Sequence, residues 1–139
     1  MEVAKLLPEY NFIIIGKNAP VDLLPENVLT MQNTNNQLEL AQMYSDADVT
    51  LLTSKKETFS MVCAESLCCG TPIAGFEAGA PETIAIKEYS EFVPHGETEA
   101  LAKAVKNMID KPPKIDTDLA AKTYSAKTMW DNYYLLYSI

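Results

Sequence analysis

The 139-residue sequence predicts a three-layer α/β/α fold, in which helices cover both faces of a mainly parallel sheet of about five strands. Short apolar runs alternate in regular order with amphipathic segments, as expected of strands that are joined by crossover helices. The clearest apolar run shows no polar alternation, which is typical of a strand buried on both faces. The length fits one domain, and 47% apolar with 22% charged residues is an ordinary globular composition.

The strands are the short apolar segments between polar turns. The first is the β-branched run Phe12-Ile13-Ile14-Ile15, which ends at Gly16. A loop rich in Asn, Pro and Asp follows over residues 17–27. The predicted strands cover residues 12–15, 28–31, 49–52, 72–75 and 92–93.

The helices follow from capping residues and helical spacing. The polar turn 33–36 caps a helix over 37–45, whose buried stripe includes Leu38 and Tyr44. Gly70 ends a helix over 60–69, because glycine favours a left-handed helix terminus. The remaining predicted helices begin near Pro81, cover 97–109 and cover 118–137. The chain also opens on the end of a helix, at residues 2–7, which predicts a piece of a longer protein.

The net charge of −8 argues against nucleic acid or an anionic membrane as the main partner, since both require clustered basic groups. No apolar run is long enough for a transmembrane helix, and no signal peptide is visible. Cys63, Cys68 and Cys69 are odd in number and closely spaced, so they make a poor disulfide framework and fit a reducing cytosol.

The loop over residues 53–60 is the most informative of the three that follow strand ends, where α/β proteins bind ligands. The first amides of the next helix lack intrahelical partners, and the helix dipole there favours an anion such as a diphosphate. Glu57 precedes this helix, and Glu65 lies roughly 7 Å along it at ~1.5 Å per residue. The two carboxylates can therefore bracket one ligand and accept hydrogen bonds from vicinal hydroxyls.

Several sequence blocks together resemble the family-4 retaining glycosyltransferases (glycosyl transferases group 1). Glu57 and Glu65, with seven residues between them and a Gly70-Thr71-Pro72 tail, resemble the family's E-x7-E signature. The stretches Tyr44-Ser45-Asp46-Ala47-Asp48-Val49 and Gly79-Ala80-Pro81-Glu82-Thr83-Ile84 resemble two further family motifs. Residues 92–101 resemble the strand and helix that follow, so the resemblance covers nearly the whole chain.

The resemblance implies a GT-B enzyme, which has two Rossmann-like domains with a cleft between them. Residues 1–139 would be the C-terminal domain, which binds the nucleotide-sugar donor. Its first strand and the N-terminal acceptor domain would lie outside this sequence. The whole enzyme would be a retaining hexosyltransferase of polysaccharide or glycoconjugate biosynthesis, cytoplasmic or peripheral at the membrane through the N-terminal domain.

The resemblance also assigns roles to individual residues. Glu57 would have the catalytic role by contacting hydroxyls of the donor sugar, and Glu65 would hold the ribose hydroxyls of a UDP or GDP sugar. The other donor-binding positions would be Gly16, Phe59, Ser60, Met61 and Val62. No metal and no further cofactor is implied.

Two departures from the family pattern affect the expected site. The family usually has glycine at position 60, where this chain has Ser60, a residue that can cap the helix and narrow the sugar pocket. The family's basic pair for the diphosphate would precede residue 1. The nearby cations in this sequence are Lys17, Lys55 and Lys56.

Other functions stay open at this stage. One alternative is a nucleotide-sugar epimerase, which has the same fold. Another is an α/β interaction module without catalytic activity. Glu82 follows Pro81 at a helix start, where the dipole favours an acid without any function. His95 and the three cysteines fit a surface turn and the core, respectively, better than catalysis. The aromatic cluster of Trp130 and residues 133–137 is a packing face or a self-association surface.

Overall fold

A computed structural model describes residues 2–16 and 24–137, except for the side chain of Tyr137. The predicted loop over 17–27, with Lys17, therefore lies mostly outside the described residues. The strands are β1 (Phe12–Ile15), β2 (Val28–Met31), β3 (Thr50–Leu52), β4 (Ile73–Phe76) and β5 (Ser90–Val93). The α-helices are α1 (Glu2–Leu6), α2 (Gln37–Ser45), α3 (Met61–Cys68), α4 (Pro81–Ile84), α5 (Thr98–Asp110), α6 (Thr117–Thr123) and α7 (Ala126–Tyr137).

All pairings between these strands are parallel, which confirms the predicted α/β class. Within the described residues the strands form two sheets, one of β1 and β2 and one in the order β3-β4-β5. The number and direction of the strands match the prediction, whereas the single continuous sheet does not. Among the described strands, β1 and β3 each hydrogen-bond to a neighbouring strand along one edge only, so no strand pairing joins the two sheets.

The β3-β4-β5 sheet carries a hydrophobic core on each face. Its central strand is buried along its whole length, because alternate residues enter different clusters. Ala74 and Phe76 pack with residues of α1 and α5, while Ile73 packs with residues of α3 and α6. This sheet therefore has the predicted three layers. Gly70, at a φ of 85°, ends α3 as expected.

The β1-β2 sheet differs from the prediction of a fully buried first strand. Ile13 and Ile15 are 57% and 40% exposed, and Leu29 and Met31, their partners in the parallel register, are exposed on the same face. The predicted buried stripe of α2 is also wrong, because no residue of this helix is buried and Leu38 is 82% exposed. Among the described residues, no helix packs on the face of the β1-β2 sheet that carries Ile13 and Ile15 closely enough to bury it.

The predicted last helix over 118–137 is two helices, α6 and α7. Ser125 separates them, because its Oγ accepts a hydrogen bond from the Thr128 amide at 3.1 Å and so caps the start of α7. Tyr124 then turns its phenol to donate to the Ile84 carbonyl at 2.9 Å. Among the residues that the structure describes, no helix is long and apolar enough to span a membrane.

Candidate functional site

The first turn of α3 is the centre of the candidate site. The loop 53–60 leads into it from the end of β3, and the first helical amide with a partner is that of Cys63, which donates to the Ser60 carbonyl at 3.1 Å. In the described part of the chain, the four preceding amides, those of residues 59–62, donate to no protein acceptor. Unpaired amides at a helix start, together with the dipole, form a site that suits an anion.

Ser60 does not take the capping role that the sequence suggested. Its side chain makes no cap hydrogen bond, and it is only 2% exposed. The Ser60 Oγ is buried without a hydrogen-bond partner among the described residues. Burial also means that this side chain does not stand in an open sugar pocket, so only the Ser60 backbone amide is available to a ligand.

The neighbouring residues Phe59, Met61 and Val62 are more accessible. Phe59 and Met61 are 57% and 58% exposed, and Val62 is half-buried against the core on the α3 side of the sheet. Two large apolar side chains thus stand in solvent beside the unpaired amides. An organic ligand that binds these amides would also cover the side chains of Phe59 and Met61, whereas in the free protein both side chains are exposed to water.

Glu57 is held in place through its backbone. Its amide donates to the Ala78 carbonyl at 2.9 Å, which ties the loop 53–60 to the loop that follows β4. The Glu57 side chain is half-buried and has no ion-pair partner among the described residues. Its carboxylate is therefore available for a ligand beside the start of α3.

Glu82 shapes the loop against which Glu57 packs. Its two carboxylate oxygens accept hydrogen bonds from the amides of Ala78 and Gly79, at 3.0 and 2.8 Å. Burial acts to raise the pKa of Glu82, but these backbone hydrogen bonds outweigh it and lower that pKa. Gly79 has a φ of 100°, a conformation that favours glycine. Glu82 thus has a structural role, as the sequence allowed.

Glu65 lies one turn further along α3, and its carboxylate faces α2. The Tyr44 phenol donates a hydrogen bond to Glu65 Oε2 at 2.9 Å. Both side chains are half-buried. No hydrogen bond joins Glu65 to Glu57 within the described residues, so the two carboxylates are held by different neighbours, one before the first turn of α3 and one after it.

Gly16 ends β1, where its amide donates to the Met31 carbonyl at 3.1 Å. A Cβ added to Gly16 would meet no described atom within 4 Å. Among the described residues, no atom fills the space beside Gly16. No hydrogen bond connects this residue to α3 in the described part of the chain.

The sequence missed Tyr44 as part of the site. It placed this residue in a buried stripe, although Tyr44 also stood in one of the quoted motifs. Its place in that motif was the available indication of a role in the site. The contact itself could not be seen in the sequence, because Tyr44 and Glu65 are 21 residues apart.

The cysteines fit the structural interpretation. All three are free thiols, and burial raises the pKa of each. At Cys63, burial is the largest effect and the pKa is raised, although the neighbouring Ser60 hydroxyl acts to lower it; the negative charges of Glu57 and Glu82 also act to raise it. A thiol held in its protonated form is a poor nucleophile, so none of the three suits a catalytic role.

A depression lies at the other end of the sheet, between the start of β5 and the end of α5. Its lining includes Glu88, Glu91 and Asp110, with Lys111 as the cation among them. The excess of negative charge makes this depression unsuitable for a diphosphate. The start of α3 is therefore the better candidate for an anionic ligand.

The parallel strands and the helices on both faces of the three-stranded sheet define a class: a Rossmann-like α/β domain. The family model for glycosyl transferases group 1 matches residues 1–127. The chain belongs to this family, whose fold is GT-B.

Curated relatives match the chain over part of their length. The D-inositol 3-phosphate glycosyltransferase of Mycobacteroides abscessus is 28% identical over an alignment of 123 residues, and the match covers 78% of this chain and 28% of the relative. The enzyme of the same name from Thermomonospora curvata is 33% identical over 94 residues, 66% of this chain and 22% of the relative. The chain thus spans about a quarter of the length of these relatives.

Solved structures show the same fold. Sucrose-phosphate synthase from Thermosynechococcus elongatus superposes with a TM-score of 0.74 at 21% identity, over 99% of this chain and 41% of that one. The pneumococcal O-GlcNAc transferase GtfA superposes with a TM-score of 0.64 at 22% identity, over 88% of this chain and 27% of that one.

Proposed function

We propose that residues 1–139 form the donor-binding domain of a retaining glycosyltransferase that uses a UDP or GDP sugar. The observation that carries this proposal is the first turn of α3, where unpaired amides lie between Glu57 and Glu65 in the chain. The diphosphate would bind these amides, Glu65 would bind the ribose hydroxyls, and Glu57 would bind the donor sugar.

Two matched structures that contain UDP support a nucleotide diphosphate. GtfA was solved with UDP and GlcNAc, and a second matched structure, Anabaena HepE, was solved with UDP. HepE superposes with a TM-score of 0.62 at 17% identity. These ligands belong to those proteins, and the unpaired amides of α3 are the reason to propose the same ligand class here.

The proposed reaction needs no protein nucleophile. The bond between the anomeric carbon and the β-phosphate oxygen breaks, and the acceptor oxygen bonds to that carbon while its proton passes to the departing diphosphate. The amides of residues 59–62 stabilise the negative charge that develops on the diphosphate. Glu57 orients the sugar, which lowers the barrier by fixing the reacting carbon.

We also propose that this domain works within a larger enzyme. Its matches cover about a quarter of the relatives' length, and Lys55 and Lys56 are the described cations of the site loop. Among the described residues, β1 and β3 each have one edge without a neighbouring strand, and both strands pack on the same core, through Phe12 and Leu51. A parallel strand from outside residues 1–139 would join the two sheets, and further basic residues there would complete the diphosphate site.

The compartment is part of the same proposal. Three free thiols, two of them half-buried, fit a reducing cytoplasm.

Isothermal titration of the 139-residue chain with UDP, GDP and ADP tests the binding site. The variants are Glu65→Ala and, as a matched control, Glu91→Ala, which removes an exposed carboxylate at the far edge of the sheet, on β5. We expect UDP or GDP to bind the wild type and the Glu91 variant equally. Loss of the ribose contacts should weaken binding to Glu65→Ala by roughly tenfold, as expected for about 1.4 kcal/mol.

Equal affinity of the Glu65 and Glu91 variants would contradict the proposal, as would the absence of binding by any of the three nucleotides. A product assay on the whole enzyme then separates transfer from epimerisation. A glycoside that keeps the anomeric configuration of the donor supports transfer with retention, and an altered free nucleotide sugar supports the epimerase.

A further inference from the structure

The Glu65 carboxylate is held by another side chain before any ligand arrives. Tyr44 Oη lies 2.9 Å from Glu65 Oε2 and donates to it. The carboxylate makes no other hydrogen bond within the described residues, so Oε1 and one lone pair of Oε2 face no protein donor there. An ionised carboxylate has about four acceptor positions, and Tyr44 occupies one.

Tyr44 itself is firmly anchored. Its carbonyl accepts hydrogen bonds from the Ala47 amide at 3.0 Å and from the hydroxyl of Thr71, a residue that is 1% exposed. The next residue, Ser45, places its Oγ 3.4 Å from the Cys69 carbonyl at the end of α3. The end of α2 therefore hydrogen-bonds to Cys69 and Thr71, the two residues that flank Gly70 after α3. These contacts hold the Tyr44 backbone close to α3 and so place its phenol beside Glu65.

The phenol also stays protonated. Burial raises the pKa of Tyr44, and the hydrogen bond to the Glu65 carboxylate raises it further. Tyr44 is thus a hydrogen-bond donor throughout the physiological pH range. The phenol can therefore keep donating to the Glu65 carboxylate near neutral pH.

We propose that Tyr44 is a positioning residue that orients the Glu65 carboxylate toward the vicinal hydroxyls of a nucleotide ribose. This inference rests on the proposed function, since it assigns Glu65 to the ribose. Without the phenol, the Glu65 side chain rotates freely, and the ligand must order it on binding. Ordering one such side chain corresponds to a loss of about 3- to 10-fold in affinity.

The test combines one substitution with a change in the ligand. Tyr44→Phe keeps the ring and removes only the hydroxyl. Tyr124→Phe is the matched control, because Tyr124 is also half-buried and also loses one hydrogen bond of 2.9 Å, to the Ile84 carbonyl. Each variant is titrated with UDP and GDP and with their 2′,3′-dideoxy counterparts, which lack the hydroxyls that Glu65 would bind.

We expect Tyr44→Phe to weaken binding of the ribose nucleotide by about 3- to 10-fold and to leave the dideoxy affinity unchanged. Tyr124→Phe should change neither affinity. An equal loss for both ligands would show a merely structural role, and no loss for either would show that Glu65 needs no support. Both results overturn the proposal while the wild type still binds. If the wild type binds neither nucleotide, the proposed function fails, and the role of Tyr44 fails with it.

A crystal structure of Tyr44→Phe without ligand gives a second readout that does not depend on binding. We expect the Glu65 carboxylate to leave its position or to occupy several conformers. A Glu65 side chain that keeps its orientation without the phenol would overturn the proposal.

Discussion

Ser66 is the centre of a buried polar network that holds α3 against the sheet. Its fully buried Oγ lies 2.8 Å from Thr50 Oγ1 and 2.8 Å from the Thr71 carbonyl oxygen. The Ser66 hydroxyl donates to the carbonyl and accepts from Thr50. Since Thr50 begins β3 and Thr71 precedes β4, one hydroxyl joins the site helix to two strands.

We expect Ser66→Ala to lower the free energy of unfolding by about 1–4 kcal/mol. The Thr71 carbonyl would lose this partner in a buried position, which costs about 1–3 kcal/mol, and the pair with Thr50 contributes about 0.5–1.5 kcal/mol. The better helix propensity of alanine returns up to ~0.5 kcal/mol. The net loss is a large share of the roughly 5–15 kcal/mol that stabilises a typical domain.

Urea denaturation, followed by circular dichroism, measures this loss as a shift in midpoint at constant slope. Ser45→Ala is the matched control, because it also replaces a helical serine but removes only an exposed contact of 3.4 Å. It should cost less than about 0.5 kcal/mol. A Ser66 variant that matches this control would refute the reasoning. Combining Ser66→Ala with Thr50→Val should show a coupling of about 0.5–1.5 kcal/mol.

Three further predictions follow from single side chains. Ser60→Ala should leave the free energy of unfolding unchanged or raise it by about 1 kcal/mol, because the buried Oγ has no hydrogen-bond partner among the described residues. A lower free energy of unfolding in urea denaturation would contradict this. The folded state lowers the pKa of Glu82, so its contribution is present above the unfolded-state pKa and is lost as the pH falls through the folded-state pKa. Glu82→Gln should therefore reduce the acid dependence of the melting temperature relative to an exposed control, Glu77→Gln; equal dependence in both would refute it. Ser125→Ala removes the cap of α7 and should cost about 0.5–2 kcal/mol with a loss of helical signal in circular dichroism, whereas an unchanged spectrum and midpoint would exclude the cap.

Local signals predicted the elements near the site. The bounds of β1, β2 and α2 coincide with those predicted, because Gly16 and the cap at Asn36 mark ends that need no tertiary contact. The start of α3 lies one residue from its predicted position. Its unpaired amides also follow from helix geometry alone, since any helix start leaves its first amides without partners.

Contacts between elements could not be predicted in the same way. Helical spacing does not show which neighbouring element covers each face of α2, and the sequence therefore did not reveal that Leu38 is exposed or that Tyr44 donates a hydrogen bond to Glu65. Apolar spacing continues across Ser125, which hid the break between α6 and α7. Strand patterns likewise carry no information on which strand pairs with which, and the division into two sheets was therefore missed.

The most direct test of the central claim is an amide-resolved NMR titration of the 139-residue chain with UDP and GDP. We expect the largest shifts on the amides of residues 59–62 and on residues next to Glu65. Shifts confined to the acidic depression around Glu88, Glu91 and Asp110, or no shifts for either nucleotide, would contradict it.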